Sequence, residues 1–164
     1  MIKIKICGIT NLDDALAAAD AGADALGFNF YKKSPRYIDP EKAAEIISQL
    51  PPFIMPVGVF VNEREEKIRE IQQLTCMQTI QLHGDESPEF CQQFGGRVIK
   101  AFQVKDKESI KRMAHYHVGA FLLYSYRDGV HGGTGETFYW HLAVVAKTFG
   151  KVILAGVLNP ENVA

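Results

Sequence analysis

The chain has 164 residues, 47% of them apolar, and a net charge of −1, which suits one domain with its own core. No Lys/Arg cluster interleaves with aromatics, and no apolar run approaches the roughly 18 residues of a membrane span. Neither nucleic acid nor membrane is therefore an expected partner. Three cysteines without a CxxC pair, and an opening MIKIKICGIT without a signal-peptide layout, point to a reducing cytoplasm.

Strand and helix alternate along the chain. Lys3-Ile4-Lys5-Ile6 alternates charged and apolar residues, so a strand is predicted over 2–7, ending on Cys7 before the turn at Gly8. Asn11 should cap a helix over 12–21, and Gly22 should close it. Residues 24–30 form a near-continuous apolar run, as a buried parallel strand does. Pro40 suits the first turn of a helix reaching Leu50. Strands are then predicted over 54–61, 78–82, 97–102, 120–124 and 151–155. Helices are predicted over 63–74, from Ser87 to the glycines at 95–96, over 106–116 and over 138–149, with a last one opening at Asn159-Pro160. A glycine-rich loop spans 125–137. His115 and His117, two residues apart with no acidic or thiol ligand nearby, suit a solvated helix end better than a metal site, so no metal is expected.

Strict βα alternation allows an open doubly wound sheet or an eight-stranded barrel. The turn after the first strand lacks GxGxxG, and Gly132-Gly133-Thr134-Gly135 lacks the Lys-Ser/Thr of a P-loop. The even spacing favours the (β/α)8 TIM-barrel type in a single domain over residues 1–164. Seven strands are present, where such a barrel takes eight strands and about 200 residues or more. The expectation is therefore seven βα units with the eighth missing.

In parallel α/β folds, chemistry sits at the carboxyl ends of strands, where Cys7 falls. Position alone leaves Cys7 open as a reactive thiol or as a small buried filler. Six stretches decide more when taken in order. They are Lys5–Thr10, Ala25–Tyr31 with Ser34–Tyr37, Val57–Asn62, Gln81–Asp85, Gly132–Gly135 with Phe138–Trp140, and Leu158–Asn162. Together they closely resemble the phosphoribosylanthranilate isomerases of tryptophan biosynthesis, over the whole chain.

That resemblance implies an Amadori rearrangement of a phosphorylated ribosyl anthranilate, a small-molecule substrate. An acid protonates the ribose ring oxygen, the ring opens to a Schiff base, and a base removes the C2 proton. The substrate's own imine is the electron sink, so no cofactor is needed. The acid and the base must have environments that push their pKa values apart. Cys7 matches the base, a role for which a thiol of pKa about 8.5 needs nearby positive charge or a helix N-terminus. Arg36 matches the residue that holds the anthranilate carboxylate, to which its planar fork is suited. His83 is a neighbour of the sugar, with a loop or cap role as its alternative. Gly133, Gly156 and Asn159 belong to the substrate- and phosphate-binding loops, the last two near a helix N-terminus. Cys76 and Cys91 are read as structural residues on helices.

Three positions depart from the family pattern. Tyr124 stands where the general-acid aspartate is expected, and a phenol of pKa about 10 is a weaker acid. Asp128 is the possible substitute. Tyr139 replaces an aspartate at a helix start, and Val157 replaces a glycine at a phosphate loop. Two readings follow: an isomerase impaired at these positions, or a non-catalytic barrel fragment serving as a folding unit, phosphate binder or assembly partner. Unclosed strand edges would favour a homodimer or a swapped assembly.

Overall fold

In a computed structural model, which describes residues 2–125 and 140–156, the opening alternation becomes strand β1 only over Lys5–Cys7. The predicted start at Ile2 fails because of a contact made from further along the chain. The Ile4 N–H is taken by the Asp24 carboxylate (2.8 Å) rather than by a neighbouring strand.

The chain divides into two compact units, Met1–Asp85 and Glu86–Ala164. In the first, β1 is followed by α1 (Leu12–Asp20), β2 (Ala25–Asn29), α2 (Pro40–Ile47), β3 (Met55–Phe60), α3 (Glu65–Thr75) and β4 (Thr79–Leu82). Each strand runs parallel to the one before it. Asn11 caps α1 and Pro40 stands in the first turn of α2, as read from sequence, and the structure adds Asp39 as the second cap. Asn11 accepts from the Asp14 N–H (2.8 Å), and Asp39 accepts from the Glu41 N–H (3.1 Å) with Pro40 in the first turn. Helix α3 starts two residues late, after Asn62 has taken φ +50° and Arg64 the cap position. Cys76 lies just outside that helix, as a left-handed cap with φ +55° and an exposed side chain.

Register sorts the strand residues onto two faces. Leu26, Phe28, Phe60, Ile80 and Leu82 share one face, and none is more than 1% exposed. Full burial of a side chain of this kind stabilises by about 1.5–3 kcal/mol. The other face is mixed in character. One row across it holds Cys7, Gly27, Val57 and Thr79, and the next holds Asn29, Val59 and Gln81.

The second unit contains α4 (Pro88–Gln92), β5 (Val98–Val104), α5 (Lys107–Lys111), β6 (Ala120–Ser125), α6 (Trp140–Ala146) and β7 (Val152–Ala155). Strands β5, β6 and β7 are parallel neighbours. Phe102, Val104, Phe121 and Leu123 pack with Ile110, Met113, Leu142, Ala143 and Ala146 into the core. Helix α5 opens on a reciprocal cap between Asp106 and Ser109. The helix expected over 106–116 is interrupted: a tighter turn over Arg112–His115 follows, and Tyr116 is extended. That break sets the Tyr116 ring edge-on to Phe102 (5.1 Å between centres) and its hydroxyl onto the Glu86 carbonyl (3.0 Å).

Candidate active site

In the first unit, the chain turns sharply where β1 ends at Cys7. Gly8 has φ +95°, a conformation that favours glycine, and the Gly8 and Ile9 N–H groups both donate to the Gly27 carbonyl (2.9 and 3.1 Å). A Cβ at Gly8 would lie 2.4 Å from Arg36 Cδ, so the arginine stem crosses directly over this glycine. Its guanidinium then donates from Nη1 to the Cys7 carbonyl at 3.1 Å. The sequence-predicted pair, Cys7 and Arg36, is thus brought together from positions 29 residues apart.

Gly27 is required by what surrounds it. A Cβ there would stand 2.8 Å from Cys7 Sγ and 3.0 Å from Lys5 Nζ. The two side chains occupy the space a larger residue would take. The thiol and the ammonium therefore lie within about 6 Å of each other, on either side of the same glycine. Sequence reasoning missed Lys5, although residues i and i+2 of a strand share a face and Lys5 precedes Cys7 by two.

The loop carrying Arg36 is held by side chains. Asn29 donates to Ser34 Oγ (3.0 Å) and accepts from the Tyr31 N–H (3.0 Å), and Ser34 Oγ accepts from the Arg36 N–H (3.1 Å). His83 follows β4, half-buried, and its N–H donates to the Phe60 carbonyl (2.8 Å). Its Nδ1 lies 2.8 Å from Gln81 Nε2. Gln81 is 2% exposed, and its Oε1 is the one buried side-chain oxygen without a hydrogen-bond partner among the described residues. Gln81 was also missed. Its signal was its place two residues before His83 in a strand.

In the second unit, Tyr124 is half-buried near the carboxyl end of β6, with Gln103 and Ala155 as its register partners. It alternates with Phe121 and Leu123 of the core, which puts it on the opposite face. Gly156, directly after β7, is exposed with φ +90°. Asp128, Gly133, Asn159, Tyr139 and Val157 lie outside the described residues.

Other chemically capable groups sit elsewhere. Lys100 and Glu86 form an ion pair at 3.2 Å with both side chains 3% exposed, and Lys100 alternates with Ala101 onto the face of Phe102. Burial pushes the nearby Cys91 thiol up to about 11, which suits a structural role. His115 and His117 are both exposed. Among the described residues, no three His, Cys, Asp or Glu side chains gather into a metal-binding group, and no helix is long and apolar enough to cross a membrane.

In the first unit, Cys7 with the Arg36 guanidinium on its carbonyl and His83 beside Gln81 thus stand at strand ends; in the second unit, Tyr124 does. Comparison with known proteins gives this arrangement its relatives. The family model described as N-(5'-phosphoribosyl)anthranilate (PRA) isomerase matches residues 4–164. The N-(5'-phosphoribosyl)anthranilate isomerase of Geotalea uraniireducens is 56% identical over 163 residues, covering 99% of this chain and 80% of that protein. The crystal structure of phosphoribosyl anthranilate isomerase from Thermotoga maritima matches with a TM-score of 0.90 and 43% identity, over 99% of this chain and 80% of that one. A structure of such an isomerase in complex with reduced 1-(o-carboxyphenylamino)-1-deoxyribulose 5-phosphate matches with a TM-score of 0.85 and 41% identity, over 99% and 79%. The fold is accordingly α/β of the TIM-barrel type, with about seven βα units in this chain. With more than half of its residues identical to a relative along nearly its whole length, the chain belongs to the N-(5'-phosphoribosyl)anthranilate isomerase family.

Proposed function

We propose that Cys7 is the general base and Arg36 the carboxylate anchor of this chain's reaction. The activity is that of its family: isomerisation of N-(5'-phosphoribosyl)anthranilate to carboxyphenylamino-deoxyribulose phosphate, in tryptophan biosynthesis. The observation that carries the assignment is the Cys7 thiol in the slot left by Gly27, with Arg36 anchored on the carbonyl of the same residue. A base here takes the C2 proton of the Schiff base, and the electrons pass to the substrate's own imine, so the step asks for no cofactor. The guanidinium fork matches a planar carboxylate, and Cys7 and Arg36 would then hold opposite ends of one reacting unit.

Tyr124 occupies the position of the family's acid, and Asp128 is the second candidate to protonate the ring oxygen. His83 contacts the sugar. Gly133, Gly156 and Asn159 receive the phosphate, and the positive φ of Gly156 supports a backbone turned toward a ligand. The relative bound to a reduced deoxyribulose phosphate supports the substrate class. The enzyme reading is favoured over a non-catalytic fragment because similarity to the isomerases runs through nearly the whole chain. We assign residues 1–164 to one domain working in the cytoplasm, and we expect a homodimer.

Loss of anthranilate fluorescence on incubation with N-(5'-phosphoribosyl)anthranilate tests the assignment. The parent chain turns the substrate over, and Cys7→Ser abolishes turnover with an unchanged circular dichroism spectrum. Undiminished turnover in Cys7→Ser removes the thiol from the mechanism.

A further inference from the structure

Gln81 carries two facts that the chemistry above leaves unused. Its amide nitrogen meets Nδ1 of His83 at 2.8 Å, and its amide oxygen is buried with no partner among the described residues. The first fact favours one tautomer. An amide NH₂ only donates, so the imidazole nitrogen facing it must accept, and the neutral ring carries its hydrogen on Nε2. The second fact is a cost. A buried acceptor left unpaired is destabilising relative to a satisfied one, and native proteins hold few of them. The oxygen also lies on the right face. Gln81 shares a row with Asn29 and Val59, one step further toward the strand ends than the row of Cys7 and Gly27. Asn29, its nearest polar companion in that row, spends its own amide on Ser34 and Tyr31.

We propose that Gln81 determines specificity at this site: its amide oxygen accepts a hydrogen bond from a ribose-derived hydroxyl of the substrate, and its amide nitrogen holds His83 as the Nε2–H tautomer beside the same sugar. The inference rests on the isomerase assignment, because that supplies a polyhydroxylated ligand. Hydroxyl recognition by an otherwise orphaned buried acceptor discriminates strongly. An analogue lacking the hydroxyl gains nothing from the oxygen and leaves it unpaired.

The test compares the parent chain with Gln81→Met and Gln81→Glu, using calorimetry with the reduced product analogue and with its deoxy counterparts. Gln81→Met should weaken binding of the full analogue by about 10-fold or more, since an unmade hydrogen bond of this kind is worth about 1–3 kcal/mol. It should leave binding of one deoxy analogue unchanged. Gln81→Glu keeps an acceptor but reverses the contact with Nδ1, so it should bind the full analogue better than Gln81→Met and less well than the parent. Nitrogen chemical shifts of His83 should report the Nε2–H tautomer in the parent and a mixture of tautomers in Gln81→Met. Equal affinity of parent and Gln81→Met for the full analogue overturns the proposal, as does a parent that does not bind it. A parent that binds the analogue but turns over no substrate instead overturns the catalytic assignment and leaves the role of Gln81 standing.

Discussion

Tyr124 is the residue whose chemistry departs most from what the reaction asks. It sits near the end of β6 with Gln103 and Ala155 in register, on the face opposite the core, where a carboxylic acid would be far better at protonating a ring oxygen. Restoring the carboxyl with Tyr124→Asp should raise kcat by about 10²–10⁴-fold while KM changes much less, because acid catalysis acts in the transition state. Steady-state kinetics on the two chains decide it. A parent as fast as the variant would hand the acid role to Asp128 or another group. Residues of this kind differ in how plainly a sequence announces them. Cys7 is visible because a charged–apolar alternation stops on a thiol and a glycine. Arg36 is visible only through the motif around it, since nothing in a polar loop says that its stem must cross Gly8. Gln81 and Lys5 are invisible to composition. An amide in an apolar strand, or a lysine in an alternating one, reads as ordinary until register shows which face it shares and what stands beside it.

At the scale of elements, capping chemistry is local and was therefore legible. Asn11, Asp39 and Ser87 each accept from a backbone N–H two or three residues on, as their sequence neighbourhoods require. Breaks imposed by distant contacts were not legible. The turn over Arg112–His115 goes with the partners of Tyr116 at Phe102 and Glu86, and Cys76 ends α3 in a left-handed conformation that its residue type does not advertise. The short β1 is a third case, and it carries a pH dependence. Asp24, just ahead of β2, bonds Lys3 Nζ (2.5 Å) and the Ile4 N–H (2.8 Å), fastening the approach to β1 from the side. The Lys3 hydrogen bond first, then the Ile4 N–H, hold its carboxyl below the ordinary 3.8. A carboxyl depressed by folding adds stability that is full above its unfolded value and disappears as pH falls through the folded one. Asp24→Asn should therefore lower the urea midpoint near neutral pH. The gap from the parent should close progressively as the medium is acidified below 3.8. A gap of constant size across that range would show that the carboxylate charge contributes nothing.

For the molecule as a whole, alternation of strand and helix was enough to give the class, and six motifs in order were enough to give the family. Association is set by exposed surface instead. Ile2, Ile4 and Ile6 stand at alternate positions in the first strand and the residues leading into it, and they are 76%, 47% and 43% exposed. Three exposed β-branched side chains so close in sequence leave a strip of apolar surface beside β1, which pairs with β2. Full burial of each would gain about 1.5–3 kcal/mol, and a second copy of the same strip is self-complementary under two-fold symmetry. The net charge of −1 supplies little repulsion between copies. Sedimentation at micromolar concentration should therefore show dimer or larger species. Ile2→Lys together with Ile4→Lys should shift the chain to monomer by placing like charges across the contact, without reducing anthranilate turnover, since both residues precede β1 and are exposed. A parent chain that sediments as a single monomeric species at that concentration would show that the strip does not drive association.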